Sequence, residues 1–467
     1  MITSAAFASK RYAVLGLARS GAASVEALLA SGAQVTAWDR QDDARARFEG
    51  RCTIADPLET DLTGYEAVIV SPGVPLNTHP ITAHAKRHGV RIIGDIELFA
   101  QARAELLPHK VVGITGTNGK STSVALVHHI VQMAGLPCVL GGNIGEAIMA
   151  QEPLAPNEQG TGVYVLELSS FQIDITFNLD CDVAALTNIT PDHLDRYAGF
   201  REYAMSKARL FEMQAARNLA VFGTLEEPCG SIFQREAARR DKVRAENRVA
   251  LAKIEQLGAM QHEWPTLQGP HNLQNVAVAV AIAEELGVTE AQWRHALPRF
   301  RNLPHRMEQV GELLGVTYIN DSKATNTAST APALAAYPPD PAIGQSRRRL
   351  HWIVGGLAKE DSLGACEAHL ANVAAVYTIG DAGPHFADLL EGKVPVVERC
   401  ELAVEAVRRA KERAVSGDVV LFSPACASFD QFRDYEKRGE HFRQLVGVIN
   451  GGEPEDPQSS PPKDIAA

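Results

Sequence analysis

The residues with the most chemical potential in this chain lie in the stretch VVGITGTNGKSTS, Val111–Ser123. The β-branched apolar run Val111–Thr115 predicts a buried strand, and the apolar-periodic segment Val124–Met133 predicts a helix ending near Gly135. Between them Gly116, Thr117, Asn118, Gly119, Lys120, Ser121 and Thr122 form a turn suited to phosphates. Two glycines let the backbone curl so that successive N–H groups converge on phosphate oxygens. The helix N-terminus adds positive potential, Lys120 a mobile charge and Ser121 a hydroxyl for Mg²⁺. Ile114 stands where the strict Walker spacing has glycine. The plainer alternative is a Gly-rich strand–helix turn with a surface lysine. Strand, loop, Lys-Ser pair and helix all agree, which points to an ATP-using enzyme.

Other strand ends carry polar groups. Val163–Leu166 delivers Glu167, a carboxylate where Mg²⁺ beside a phosphate loop needs an oxygen ligand. Val183–Leu186 delivers Thr187-Asn188 and then Asp192-His193-Leu194-Asp195-Arg196-Tyr197. His193 there is either a structural turn residue or a metal or phosphate contact. Lys207 falls on a predicted helix, Tyr203–Met213, and by itself reads as a solvated charge. Asn272 and Asn275 share one face of a helix at i, i+3, where amides reach an adenine edge or a phosphate, or cap the helix. Arg306, at a junction between blocks, is placed to reach a phosphate.

Earlier in the chain, Gly16-Leu-Ala-Arg-Ser-Gly21 follows one strand, and Asp39 ends the next. The pattern approaches a dinucleotide fingerprint, with Ala18 in place of the glycine that lets a pyrophosphate approach. It suggests a diphosphate near Arg19 and Ser20 and a base or ribose near Asp39 or Arg40; strand–helix packing alone is the alternative. Late in the chain, three strands end in Asp321-Ser322-Lys323-Ala324-Thr325-Asn326, in Gly355-Gly356-Leu357-Ala358-Lys359 and in Ser423–Phe432. Lys323, Lys359 and Thr325 suit carboxylates on one rim of a parallel sheet.

The elements that must position these groups alternate strand and helix in three blocks, predicting an α/β protein of three domains. Residues 1–108 read as Rossmann-like, 109–303 as a central P-loop ATPase-type parallel sheet and 304–450 as a second Rossmann-like domain. The tail 451–467, rich in Pro, Ser, Glu and Asp, reads as disordered. A length of 467 residues exceeds the roughly 250–300 at which single cores stop growing. Asn218–Gln268, charged and poorly periodic, reads in part as a surface excursion. Thr289 with Gln292 predicts a capping box. A net charge of −11 argues against nucleic-acid binding. Seven scattered cysteines without C-x-x-C suit a reducing cytosol and argue against a disulfide framework or a zinc site; Cys426 reads as a small buried hydrophobe. Met1–Lys10 lacks signal-peptide character, and no apolar run reaches the ~18 residues of a membrane span.

The set GTNGKST, ELSSFQ, DHLDRY, HNLQN, LPHR, NDSKATN and SPACASFDQF resembles the Mur ligases over nearly the whole chain. The last two motifs are similar to the branch that adds D-glutamate. The resemblance implies a cytoplasmic, monomeric enzyme of peptidoglycan precursor synthesis that joins D-glutamate to UDP-N-acetylmuramoyl-L-alanine. ATP would convert the substrate carboxylate to an acyl phosphate, which the amine of glutamate attacks. By the same resemblance, Lys120, His193 and Lys207 are catalytic. Ser121 and Glu167 hold one Mg²⁺, and His193 and a carbamylated Lys207 hold a second. Asn272, Asn275, Arg306 and Asp321 surround ATP. Lys323, Thr325, Lys359, Ser428 and Phe429 take D-glutamate; Arg19, Ser20, Asp39, Arg40, Gly73 and Asn143 grip the UDP-sugar. Two competing readings are a nicotinamide-dependent oxidoreductase built on the first block and a nucleotide-regulated binding module that hydrolyses ATP slowly. Ala18 weighs against the first, and the three clusters at late strand ends weigh against the second.

Overall fold

The computed structural model describes residues 1–243, 248–264, 266–339, 347–449 and 451. Three sheets carry the architecture. The first comprises β1 (Arg11–Leu15), β2 (Gln34–Trp38), β3 (Thr53–Ile54), β4 (Ala67–Val70) and β5 (Arg91–Ile93), ordered β3-β2-β1-β4-β5 and wholly parallel. The second comprises β6 (His109–Thr115), β7 (Cys138–Gly142), β8 (Gly162–Glu167), β9 (Val183–Leu186), β10 (Leu219–Phe222) and β11 (Val249–Leu251). Its order is β11-β10-β9-β6-β8-β7, again all parallel. The third comprises β12 (Glu308–Leu313), β13 (Val316–Asn320), β14 (Leu350–Gly355), β15 (Val373–Ile379), β16 (Val397–Glu401) and β17 (Val419–Phe422). Its order is β12-β13-β17-β14-β15-β16, and only the edge pair β12–β13 is antiparallel.

Helical crossovers cover both faces of a parallel sheet, so its strands must be apolar on both sides. That is why β4, β8, β9 and β17 are buried at every position. It also sends polar residues to the strand ends, where Glu167, Asp321 and the phosphate loop sit. In the third sheet β13, β17 and β14 are neighbours, so the three polar loops that follow them emerge side by side.

Packing divides the chain into two compact units. One is Met1–Lys253 with Gln274–Ala296; the other is Ile254–Leu273 with Leu297 onward. In the first unit a single apolar core serves the first and second sheets, with the rings of Phe99 and Tyr164 at 5.1 Å. The buried Glu97 fastens the two together by accepting from the backbone N–H groups of Phe177 at 2.7 Å and Asn178 at 3.0 Å. The second unit is built around β14, whose Trp352 indole donates to the Ser423 carbonyl at 2.8 Å.

Several sequence expectations change in detail. The supposed excursion Asn218–Gln268 contains β10, a helix Cys229–Asp241 and β11, an ordinary parallel crossover. Its charge is partly internal: Glu236 and Arg240, each 1% exposed, pair at 2.6 Å. The helix bearing Lys207 spans Phe200–Glu212, where the sequence predicts Tyr203–Met213. The capping box at Thr289 and Gln292 is present. Residues 452–467, most of the expected disordered tail, lie outside the described residues. No helix among the described residues is long and apolar enough to cross a membrane.

Candidate active site at the phosphate loop and the strand ends

The loop after β6 is held rigidly. Gly116 has φ 149° and Gly119 φ 80°, both in the region that favours glycine. A Cβ at Gly116 would stand 1.9 Å from Thr187 Oγ1, and one at Gly119 would stand 2.2 Å from Asn275 Oδ1. The end of β9 supports the turn from below. The Asn188 carbonyl accepts from Thr117 N–H at 2.8 Å, Asn188 Oδ1 accepts from Asn118 N–H at 2.9 Å, and Thr187 Oγ1 donates to the Asn118 carbonyl at 2.6 Å. Behind it Ser123 donates to Asn275 Oδ1 at 3.3 Å. Asn275 therefore braces the loop from inside the fold, 3% exposed. Ser121 opens the helix Lys120–Met133 beside Thr122 and is itself buried.

Two lysines meet this loop. Lys120 Nζ donates to the carbonyls of Gly116 and Thr117 at 2.9 and 2.8 Å. Lys207 Nζ, 2% exposed, donates to the same Gly116 carbonyl at 2.7 Å and lies 4.6 Å from the Tyr203 ring centroid. Burial, reinforced by the charge of Lys120, holds the Lys207 ammonium well below the usual lysine range, despite opposing pulls from Asp192, Asp174 and Glu167. Lys207 is a buried amine, where the sequence alone read a solvated charge.

Glu167 is paired with Ile114 in the β6–β8 register and is 1% exposed. Its Oε1 accepts from Asn143 Nδ2 at 2.9 Å, while its Oε2 is buried without a hydrogen-bond partner. A buried carboxylate oxygen left open beside a phosphate loop has the chemistry of a cation ligand. Asn143 aligns that carboxylate. His193 is half exposed and adopts φ 51°, with its ring edge-on to Phe171 at 5.1 Å and its N–H donating to Asp192 Oδ1 at 2.9 Å. Among the described residues no three His, Cys, Asp or Glu side chains are grouped to hold a metal. A cation here would draw on the open Glu167 Oε2 together with groups other than such a cluster.

In the first sheet the Gly16–Gly21 turn leads into the helix Arg19–Ala30, with Arg19 exposed and Ser20 partly so. A Cβ at Gly21 would meet the Gly16 carbonyl at 1.8 Å, so this glycine is required by the close turn. Asp39 holds that turn through Leu17 N–H at 2.7 Å and also accepts from Gln41 N–H at 2.9 Å. Arg40 and Gly73 are exposed nearby in the chain order, at the ends of β2 and β4. Ser71 Oγ donates to the Gly16 carbonyl at 2.9 Å and joins the two loops.

In the second unit, Asp321 is buried between Ser423 Oγ, which donates to it at 2.7 Å, and Met307 N–H at 3.1 Å. Burial pushes its carboxyl up to about 7, against the pull of those donors and of Arg306 and Arg438. Lys323 Nζ lies 3.7 Å from the Tyr435 ring centroid, and Lys359 Nζ donates to Thr325 Oγ1 at 3.5 Å. Ser428 is buried and Phe429 is 70% exposed. Asn272 donates to the Gln268 carbonyl at 3.1 Å. Burial pushes the Cys426 thiol up to about 12, which makes it the inert apolar residue expected.

Three further residues belong to these constellations. Asn188 and Tyr203 support the phosphate loop, Tyr203 through its hydroxyl 3.1 Å from Thr117 Oγ1. Tyr203 stands four residues before Lys207 on one helix, a spacing that places both on one face. Arg438, 2% exposed, bonds Ser322 Oγ, the Ser322 carbonyl and the Cys426 carbonyl at 2.9–3.0 Å. It ties two of the three rim loops together, and an isolated arginine in a helix gives no sequence sign of that.

Known proteins resemble this chain over nearly its whole length. The family description "Mur ligase middle domain" matches residues 114–283, and "Mur ligase, glutamate ligase domain" matches residues 305–426. A protein of Novosphingobium aromaticivorans named UDP-N-acetylmuramoylalanine--D-glutamate ligase is 60% identical, covering 96% of this chain and 97% of its own. A Zymomonas mobilis protein of the same name is 50% identical, over 96% of this chain and 100% of its own. Among solved structures, UDP-N-acetylmuramate-alanine ligase MurC from Thermotoga maritima aligns with a TM-score of 0.54 at 17% identity, over 95% of this chain and 99% of that one. MurF ligase from Thermotoga maritima in complex with ADP aligns with a TM-score of 0.53 at 14% identity, over 96% and 97%. These two share the fold.

Proposed function

The chain belongs to the Mur ligase family, and from that premise we infer that it is an ATP-dependent ligase adding D-glutamate to UDP-N-acetylmuramoyl-L-alanine in peptidoglycan precursor synthesis. The reaction runs through an acyl phosphate. A carboxylate oxygen of the substrate attacks the γ-phosphorus of ATP and ADP leaves. The amine of D-glutamate then attacks the carbonyl carbon, loses a proton, and the tetrahedral intermediate expels phosphate. Such chemistry needs alignment and charge neutralisation more than covalent help. The observation that carries the reading is the braced Gly116–Ser121 turn with two lysines and an open carboxylate oxygen converging on it.

In this reading Lys120 and the loop N–H groups, with Thr117, Asn118 and Thr122, grip the phosphates. Asn272, Arg306 and Asp321 meet the rest of the nucleotide, and Asn275 keeps the loop in shape. Ser121 and Glu167 would hold one Mg²⁺, and His193 with carbamylated Lys207 a second. Bound there, Mg²⁺ would neutralise charge on the transferring phosphoryl group. The open Oε2 of Glu167 fits that assignment. So does Lys207: a neutral amine can attack CO₂, forming an N–C bond and releasing a proton, and the product carboxylate presents oxygens where an ammonium cannot.

Residues 1–108 take the UDP-sugar through Arg19, Ser20, Arg40 and Gly73, with Asp39 holding the loop and Asn143 contributing from the next domain. Residues 109–303 take ATP. Residues 304–450 take D-glutamate through Lys323, Thr325, Lys359, Ser428 and Phe429. The enzyme works in the cytoplasm as a monomer; its seven thiols are unpaired, as a reducing compartment keeps them.

The test offers ATP, Mg²⁺ and UDP-N-acetylmuramoyl-L-alanine with each glutamate enantiomer, reading ADP and product mass. ADP and a glutamyl adduct form with the D enantiomer. Preference for the L enantiomer, or no adduct with either, overturns the reading. Lys120→Ala lowers kcat by about 10³-fold or more with an unchanged circular dichroism spectrum.

A further inference from the structure

His193 has no rigid scaffold of its own. It sits on an exposed loop, in left-handed backbone at φ 51°, and its side chain is half in solvent. What fixes that loop comes largely from the first sheet. Arg196, three residues on, donates from its backbone N–H to the His193 carbonyl at 2.9 Å. Its guanidinium donates to the Val74 carbonyl at 3.1 Å and lies 4.3 Å from the Phe171 ring centroid. The same Phe171 ring meets the His193 imidazole. Asn77 Nδ2 donates to the Asp195 carbonyl at 3.0 Å, a second tie between the same two loops.

The first-sheet end of this connection leads back to the turn assigned to the UDP-sugar. The Val74 N–H donates to the Ser71 carbonyl at 3.0 Å, and Ser71 Oγ donates to the Gly16 carbonyl at 2.9 Å. An unbroken path of hydrogen bonds therefore runs from the Gly16–Gly21 turn through Ser71, Val74 and Arg196 to His193. Each step is short, and the stacked Phe171 limits how the guanidinium can turn.

We propose that Arg196 is a positioning residue coupling occupancy of the first-sheet loops to the placement of His193. Ligand contact with the Ser71–Val74 turn sets the Val74 carbonyl, Arg196 follows it, and the imidazole is presented through Phe171 and the His193 backbone. The effect is that the His193 loop takes its working position when the nucleotide-sugar is aboard. The coupling rests on the UDP-sugar reading of residues 1–108 given above; only its Mg²⁺ readout also draws on the metal role proposed for His193.

The experiment follows the His193 imidazole Cε1–H resonance in the full chain, assigned by its loss in His193→Gln. UDP-N-acetylmuramoyl-L-alanine is added without ATP or Mg²⁺, and its binding is read separately by calorimetry. In the parent the resonance shifts on saturation. In Arg196→Met the ligand still binds, within about threefold of the parent, and the shift is lost; Arg196→Lys keeps part of it. Mg²⁺ required for half-maximal activity rises by roughly tenfold in Arg196→Met, while KM for ATP moves less than about twofold. Asn77→Ala, which leaves the guanidinium in place, gives a smaller change in the same direction and serves if Arg196→Met does not fold. A full His193 shift in saturated Arg196→Met, or losses spread equally over ATP, Mg²⁺ and thermal stability, overturns the proposal. Failure of the nucleotide-sugar to bind the parent defeats the first-domain reading instead, and an unmoved Mg²⁺ requirement in His193→Gln defeats only the metal role.

Discussion

Lys120 and Lys207 share an acceptor: both ammonium groups point at the carbonyl oxygen of Gly116, at 2.9 and 2.7 Å. The neighbouring charge adds to the cost of keeping a buried ammonium there. Lys207 is the buried one, and its ammonium is the disfavoured form. This relationship separates the lysines chemically. Of the two, Lys207 is the one whose neutral amine form burial favours.

Lys207→Ala accordingly lowers kcat by about 10²-fold or more, and short carboxylic acids restore part of it by supplying the missing oxygens. The check is a titration of acetate, propionate and formate into the variant, with Lys120→Ala as a control that no acid rescues. A variant indifferent to every acid leaves the carbamate without support.

Asp321 predicts a pH effect on stability. Its carboxyl is raised to about 7 by burial, against about 3.9 in an unfolded chain. Between those values the folded protein keeps a proton that the unfolded chain has released. The contribution is therefore full below about pH 4 and is lost as pH rises through about 7. Urea unfolding of parent and Asp321→Asn at about pH 5 and about pH 8 reads this directly. The parent loses more stability between the two than the variant does; equal slopes would place the titration elsewhere.

Lys359 and Thr325 form the contact that most plainly suits a carboxylate on the third sheet's rim. Lys359→Ala raises KM for D-glutamate by roughly 10–100-fold, the worth of one charge-assisted hydrogen bond, and leaves KM for ATP within about twofold. Initial rates at varied D-glutamate settle it, and an unchanged KM removes Lys359 from the site.

Much of this was legible in the residues. The phosphate loop, Glu167 at a strand end and the three late clusters all follow from apolar runs that stop at glycine or polar residues, because parallel strands advertise their burial. Charged segments were harder. The helix Cys229–Asp241 carries Glu236 and Arg240 inward as a pair, and a buried ion pair has the composition of a surface. Asn275 was not legible as a brace, since its partner Ser123 lies 152 positions away. Arg438 was invisible for the same reason: its partners are carbonyls and a hydroxyl brought in by other strands.

Glu97 precedes residue 108 in the chain, yet its carboxylate caps Phe177 and Asn178 well beyond it. A polypeptide cut at that boundary would strand two amide hydrogens and uncover the ring of Tyr164. The chain's division by ligand thus runs across its division by stability. The portions proposed for the nucleotide-sugar and for ATP share one apolar core in one compact unit, and they are expected to unfold in a single transition.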